Sequence, residues 1–300
     1  MTTKLLLASL RLYFEALARL APKTAGRHAY RLFSSPRKRG TVPSGVEGVM
    51  DRAERFEVTV RGQRVAAFRW VAPIDALDSP VGRPRVLLAH GWESRAARLA
   101  VWVEPLLAAG FEVVAYDGPA HGESEGRQAD PLIFVETMAA VLERVGPAVA
   151  CVGHSLGGYA SILGACGGGP LELEALGFER LVILGGAESG VDAMAMFCEI
   201  LGLGEGFLPL LLTGAAEAAG HPIADFDLHH HFPSHPVPTL WFHAPEDPQV
   251  PFEAAQKVAR RCPHVRLETR PGLGHHTIAR NPAVVAEAIE FLTAPAPQVS

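Results

Sequence analysis

Cysteine is scarce: Cys151, Cys166, Cys198 and Cys262 are the only four in 300 residues, they are widely spaced, and no Cys-x-x-Cys pair occurs. This excludes a cysteine-based zinc site and a redox motif, and it leaves thiols suited to a reducing compartment, the cytoplasm. An excess of positive charge is also missing, with 27 Lys and Arg against 32 Asp and Glu, so no overall field draws polyanions and nucleic acid is not an expected partner. The basic cluster Arg37-Lys38-Arg39, with Arg27 and Arg31, is local and reads as solvated surface. No apolar stretch is long enough to cross a bilayer, so no integral membrane span is expected. The short run Leu5 to Leu10 after Lys4 has the look of a signal-peptide core, but Arg11 stops it and no small-residue cleavage site follows. Lys4, Arg11, Glu15 and Arg19 share one helical face and Leu6, Leu10, Phe14 and Leu17 the other. An amphipathic helix packed on the domain is favoured over a signal or surface anchor.

No polar, low-complexity linker divides the chain, and its 48% hydrophobic content is ample for a buried core. The expectation is one domain with an insertion. Residues 1–54 form an N-terminal amphipathic helix and arm, 55–187 and 236–300 a core, and 188–235 a helical cap.

Within the core, Phe56 to Val60 and Val65 to Val71 alternate about the turn Arg61-Gly62-Gln63, which predicts a hairpin, and residues 73–84 form a loop. Buried strands follow at Arg85 to Ala89, Phe111 to Tyr116, Ala148 to Val152, Leu181 to Leu184, Thr239 to Phe242 and Val265 to Thr269. Helices are expected between them at about 94–109, 131–144, 158–165, 252–261 and, last, 282–292. Gly167-Gly168-Gly169-Pro170 reads as a helix stop, because no Lys-Ser or Lys-Thr follows to make a phosphate loop. Such alternation predicts an α/β fold, a mostly parallel sheet with helices on both faces and sites at the carboxyl ends of its strands. The alternation then breaks for some fifty residues, within which Val191 to Gly220 reads as helical with apolar faces.

The stretch Val152-Gly153-His154-Ser155-Leu156-Gly157-Gly158 joins a strand directly to a helix pattern. A sharp turn there needs residues without a Cβ beside the serine, and it would expose the Ser155 hydroxyl as a nucleophile. A serine hydroxyl needs a base and a group that holds the base. Asp247 follows one buried strand, and His275 lies in the Gly-rich loop after the next.

In these features the chain resembles the α/β-hydrolase superfamily over roughly residues 55–293. The resemblance rests on His90-Gly91-Trp92, Asp117 to Ser124, the Gly-His-Ser-Leu-Gly turn and the order Ser, Asp, His. It implies an α/β-hydrolase fold, with a helical cap, in which Ser155 is the nucleophile, His275 the general base and Asp247 the group orienting it. His276 is the rival base, and Glu246 and Glu188 are rival acids; Gly274-His275 and the Asp-x-x-Val-Pro spacing after Asp247 match the family pattern. The backbone N–H groups of Leu156 and Trp92 would form the oxyanion hole. His90 and His121 would shape loops, and His154 would fill a variable position.

The implied activity is hydrolysis of a carboxylic ester or thioester through an acyl-serine intermediate, with a small-molecule acyl substrate and no cofactor. Acyl transfer, carbon–carbon bond hydrolysis and peptidase action use the same constellation, and a non-catalytic binding scaffold is the reading from another class. The run His229-His230-His231, with Asp225, Asp227 and His235, has the composition of a metal cluster, but three adjacent histidines on a regular element cannot all face one ion. It reads as a polar cap edge, with no metal site expected.

Overall fold

A computed structural model describes residues 3–72, 83–167 and 174–295. The chain belongs to the α/β class expected from its alternation. Eight strands form one sheet in the order β1-β2-β4-β3-β5-β6-β7-β8. β1 (Glu54–Val60) and β2 (Gln63–Trp70) are the hairpin, and β2 runs antiparallel to β4 (Glu112–Tyr116). All other neighbours are parallel: β3 (Arg85–Ala89), β5 (Ala150–His154), β6 (Arg180–Leu184), β7 (Thr239–His243) and β8 (Val265–Thr269). The expected loop at 73–84 and glycine stop at 167–170 lie mostly outside the described residues.

Each central strand is apolar on both sides, as a sheet covered on both faces requires. In β3, Leu87 and Ala89 face one core with α5 (Pro131–Val145), α6 (Leu156–Cys166) and α10 (Phe252–Arg261). Val86 and Leu88 face the other with α4 (Val103–Ala108) and α12 (Pro282–Thr293). The helix expected at 94–109 begins as a 3-10 segment, Ala96–Trp102, and becomes α-helical only in α4. The chain crosses from one side of β3 to the other between β4 and β5, so the ends of β3 and β5 flank the point where strand order reverses. Ligand crevices open there in such sheets.

The N-terminal region departs from a single helix with an arm. α1 (Thr3–Leu20) stops at Ala21, and α2 (Pro22–Phe33) starts anew. Proline disfavours helical geometry in the residue before it while suiting the first helical turn itself; Ala21 accordingly sits at φ −150°, ψ 72°. The arm also holds a short helix, α3 (Glu47–Asp51). The cap stretch expected as continuously helical is two helices, α7 (Gly190–Leu201) and α8 (Leu208–Ala219), and a short α9 (Leu228–His231) follows before β7. Gly202, left-handed at φ 65°, closes the first, and its N–H and that of Leu203 bond back to Glu199 and Cys198 carbonyls.

α1 and α2 pack on this cap. Phe14, Ala25, Ala29 and Tyr30 share a buried cluster with Met194, Phe207, Leu211 and Ala215. α2 and α8 cross where glycine meets glycine: a Cβ on Gly26 would lie 2.1 Å from the Leu210 carbonyl oxygen, and one on Gly214 would lie 2.4 Å from the Gly26 backbone. Backbone therefore rests directly on backbone.

Candidate active site

Ser155 caps α6 at φ 53°, ψ −120°, a left-handed conformation that non-glycine residues rarely adopt. The turn that imposes it is as crowded as the sequence implies. A Cβ on Gly157 would sit 2.2 Å from the Ala89 carbonyl oxygen, and one on Gly153 would sit 2.6 Å from Gly158 Cα. The Ser155 N–H donates to the Leu184 carbonyl at 3.0 Å, which ties the turn to the end of β6.

Asp247 and His275 meet at this end of the sheet. His275 Nδ1–H donates to Asp247 Oδ2 at 2.7 Å, with both residues buried. The other carboxylate oxygen, Oδ1, accepts the backbone N–H groups of Gln249 at 2.8 Å and Val250 at 3.0 Å. Burial pushes the Asp247 carboxyl up, but the His275 and backbone hydrogen bonds outweigh it and hold the group below the ordinary carboxylate range. His275 lies in a short helical turn, α11 (Gly274–Thr277), where a loop was expected. Gly185, at the end of β6, lies beneath the pair: a Cβ there would be 3.3 Å from both bonded atoms. The Ser155 side chain makes no hydrogen bond to a described residue, so the chain of contacts is closed between Asp247 and His275 and open at the serine.

The rivals are placed elsewhere. His276 is exposed, and its Nε2 lies 2.9 Å from the Gln249 side-chain amide. Glu246 is exposed and accepts the Gly274 N–H. Glu188 is buried and bound to Lys257 Nζ at 2.7 Å.

Two main-chain N–H groups border Ser155. Leu156 is the first residue of α6, and its N–H has no carbonyl within the helix to meet. Trp92 is oriented through His90. His90 Nδ1–H donates to the Gly91 carbonyl at 2.7 Å, while its Nε2 accepts the Gly118 N–H at 2.8 Å. In a planar trans peptide the C=O and N–H point in opposite directions, so fixing the Gly91 carbonyl aims the Trp92 N–H away from His90. A Cβ on Gly91 would lie 2.9 Å from Ser155 Cβ, which sets this peptide against the serine. His121 Nε2 accepts the next N–H, that of Glu93, at 3.0 Å. Burial drives the His90 pKa down to about 4 and that of His121 to about 3, so both stay neutral and can accept.

His154 does more than its sequence position implied. It is buried, its Nε2–H donates to the His275 carbonyl at 2.9 Å, and its ring centroid lies 4.9 Å from that of His275. Burial, reinforced by the neighbouring His275, lowers its pKa to about 3. It therefore anchors the His275 backbone without adding charge. No local signal marks this contact, because its partner lies 121 residues away. Ring nitrogens of His154, His275 and His276 lie within 4.8 Å of one another, a spacing that suits a metal ion. The His229-His230-His231 run forms no such group among the described residues.

A model of the alpha/beta hydrolase family matches residues 86–288, more than half of the chain. No curated protein matches. Solved structures share the fold at low identity. An esterase from Exiguobacterium antarcticum is 18% identical, with 80% of this chain and 98% of that one covered at a TM-score of 0.57. The thioesterase domain from the curacin biosynthetic pathway is 18% identical, with 79% and 98% covered at 0.54. A bacterial membrane phospholipase A is 16% identical, with 97% and 98% covered at 0.59, so its likeness extends through the N-terminal helices.

Proposed function

The chain belongs to the α/β-hydrolase family, and from that premise we propose that it is a serine hydrolase acting on a carboxylic ester or thioester through an acyl-Ser155 intermediate. The observation that carries this reading is the strained Ser155 at the strand-to-helix turn beside the buried Asp247–His275 pair. Ser155 Oγ attacks the acyl carbon while His275 Nε2 takes its proton, Nδ1 being committed to Asp247. The ionised Asp247 stabilises the resulting imidazolium, and neutral His154 does not oppose it. Negative charge on the carbonyl oxygen is met by the Leu156 and Trp92 N–H groups. His275 then protonates the leaving alcohol or thiol. Water, deprotonated by the same nitrogen, attacks the acyl-serine, and His275 returns that proton to Ser155 Oγ as the acid is released. The first step needs the Ser155 hydroxyl and His275 Nε2 within hydrogen-bond reach, a contact that substrate commonly tightens.

A fluorophosphonate probe tests the reading. Wild type is expected to label, Ser155→Ala and His275→Gln are expected not to, and His276→Gln is expected to label like wild type. Absence of labelling in the folded wild type overturns the proposal, and a loss confined to His276→Gln would move the base.

A further inference from the structure

The N-terminal helices carry a charge that the rest of the molecule does not share. Between Thr3 and Arg39 lie nine of the 27 Lys and Arg residues but one of the 32 Asp and Glu residues, Glu15. Lys4, Arg19, Lys23 and Arg31 are exposed and have no acidic partner among the described residues. Among the described residues, one of α1's three cations is paired, Arg11 with Glu15 at 2.8 Å.

α1 also has more apolar surface than the cap covers. Leu10, Phe14 and Leu17 pack onto the cap cluster, whereas Leu5, Leu12, Tyr13 and Leu20 face outward, Leu12 being 68% and Leu20 85% exposed. Spacings of seven and eight put Leu5, Leu12 and Leu20 in one row, and the same spacings put Lys4, Arg11 and Arg19 in a row beside it. Between α1 and α2 runs a groove of about 350 Å³ lined by Leu10, Phe14, Leu32, His28 and Arg31.

We propose that α1 and α2 dock the protein on an anionic phospholipid surface, with the Leu5, Leu12 and Leu20 row entering the interface and the neighbouring cations meeting headgroup phosphates. Leucines inserted at the headgroup boundary, beside a row of cations, are what a helix lying in that plane requires. Among the described residues no helix is long and apolar enough to cross a membrane, so the contact is a lateral one. Polyanions such as RNA would engage the cations but leave the leucines without a partner, and a second copy of this chain meeting this face with its own would bring like charge against like charge.

The test is sedimentation of the full chain with vesicles of phosphatidylcholine alone or mixed with phosphatidylglycerol, over a range of salt, for wild type and for Ser155→Ala. Both proteins should pellet with the mixed vesicles and not with phosphatidylcholine, and salt should release them. Each cation neutralised should weaken partitioning about five-fold, so Lys4→Gln, Arg19→Gln and Lys23→Gln together should weaken it about a hundred-fold. Leu12→Ser with Leu20→Ser should also weaken it, with circular dichroism unchanged. No binding to mixed vesicles, equal binding to both kinds, or full binding by the triple variant overturns the proposal. So does RNA binding without vesicle binding, or a dimer that the leucine variant dissolves in sedimentation velocity. Because Ser155→Ala is measured alongside, failure here and failure of the hydrolase reading are read separately.

Discussion

The sheet and the helical layer above it use apolar residues in different ways. In the sheet, Val86, Leu87, Leu88 and Val152 are wholly buried, with side chains taken up by helices on both faces. In the helical layer, α1 buries Phe14 and leaves Leu12 and Leu20 open. Surrounded on every side, the strand ends can hold a serine at a strained φ and a carboxylate under three hydrogen bonds. A one-sided layer leaves surface for other contacts. Precision and availability are thus divided between two regions of one chain.

The sharpest way to probe that division is at Asp247. If the sheet end holds a triad, Asp247→Asn should lower kcat on a soluble ester by about 10⁴-fold with the fold retained by circular dichroism, because the amide NH2 donates to Nδ1 and selects the wrong imidazole tautomer. An unchanged kcat would remove Asp247 from the machinery. Smaller effects separate the two kinds of leucine. Leu88→Ala should cost about 2–5 kcal/mol in urea unfolding, as for a buried leucine that leaves a cavity. Leu12→Ala should stay within about 0.5 kcal/mol in the absence of lipid. Equal costs would mean that the exposed row is covered in solution, and the contrast would fail.

The buried imidazoles of the sheet end add a pH dependence to the contrast. His90, His121 and His154 are buried and neutral, with pKa values near 4, 3 and 3. Below about pH 6.5 the unfolded chain takes up protons that these imidazoles refuse, so stability falls with decreasing pH, by about 1.4 kcal/mol per unit for each group down to its folded pKa. Asp247 acts in the same direction at lower pH: its depressed folded pKa gives stability above its unfolded pKa of about 3.9, and this is lost as pH falls through the folded value. His121→Gln, whose amide oxygen can still accept the Glu93 N–H, should remove one imidazole's share of the slope between pH 6 and 4. Urea midpoints across that range measure it, and an unaltered slope would contradict a neutral, buried His121.

How far the residues alone disclosed this arrangement follows the same division. The positions of the strands and the crowding around Ser155 were legible because two-sided burial writes continuous apolar runs and because glycine is demanded wherever backbones touch. The positions of Asp247 and His275 were legible as strand-end residues, though their 2.7 Å contact is a fact of tertiary structure. The helical layer was harder. Periodicity carried across Ala21-Pro22 and across Gly202, although proline and glycine mark both breaks, because apolar residues continue on either side. The outward leucines were hidden for a related reason: a helix with two apolar faces and one cationic face gives nearly the same pattern as one with a single broad apolar face. The His154 contact with the His275 carbonyl had no pattern at all.

The Gly26–Gly214 crossing has a mechanical consequence. Side chains between helices act as compliant spacers that change rotamer under load, and at this crossing even a Cβ would strike backbone, so that spacer is missing. A displacement of α2 is therefore passed directly to α8, whereas α1, which carries the leucine row, meets the cap only through the side chains of Leu10, Phe14 and Leu17 and keeps a softer coupling to it.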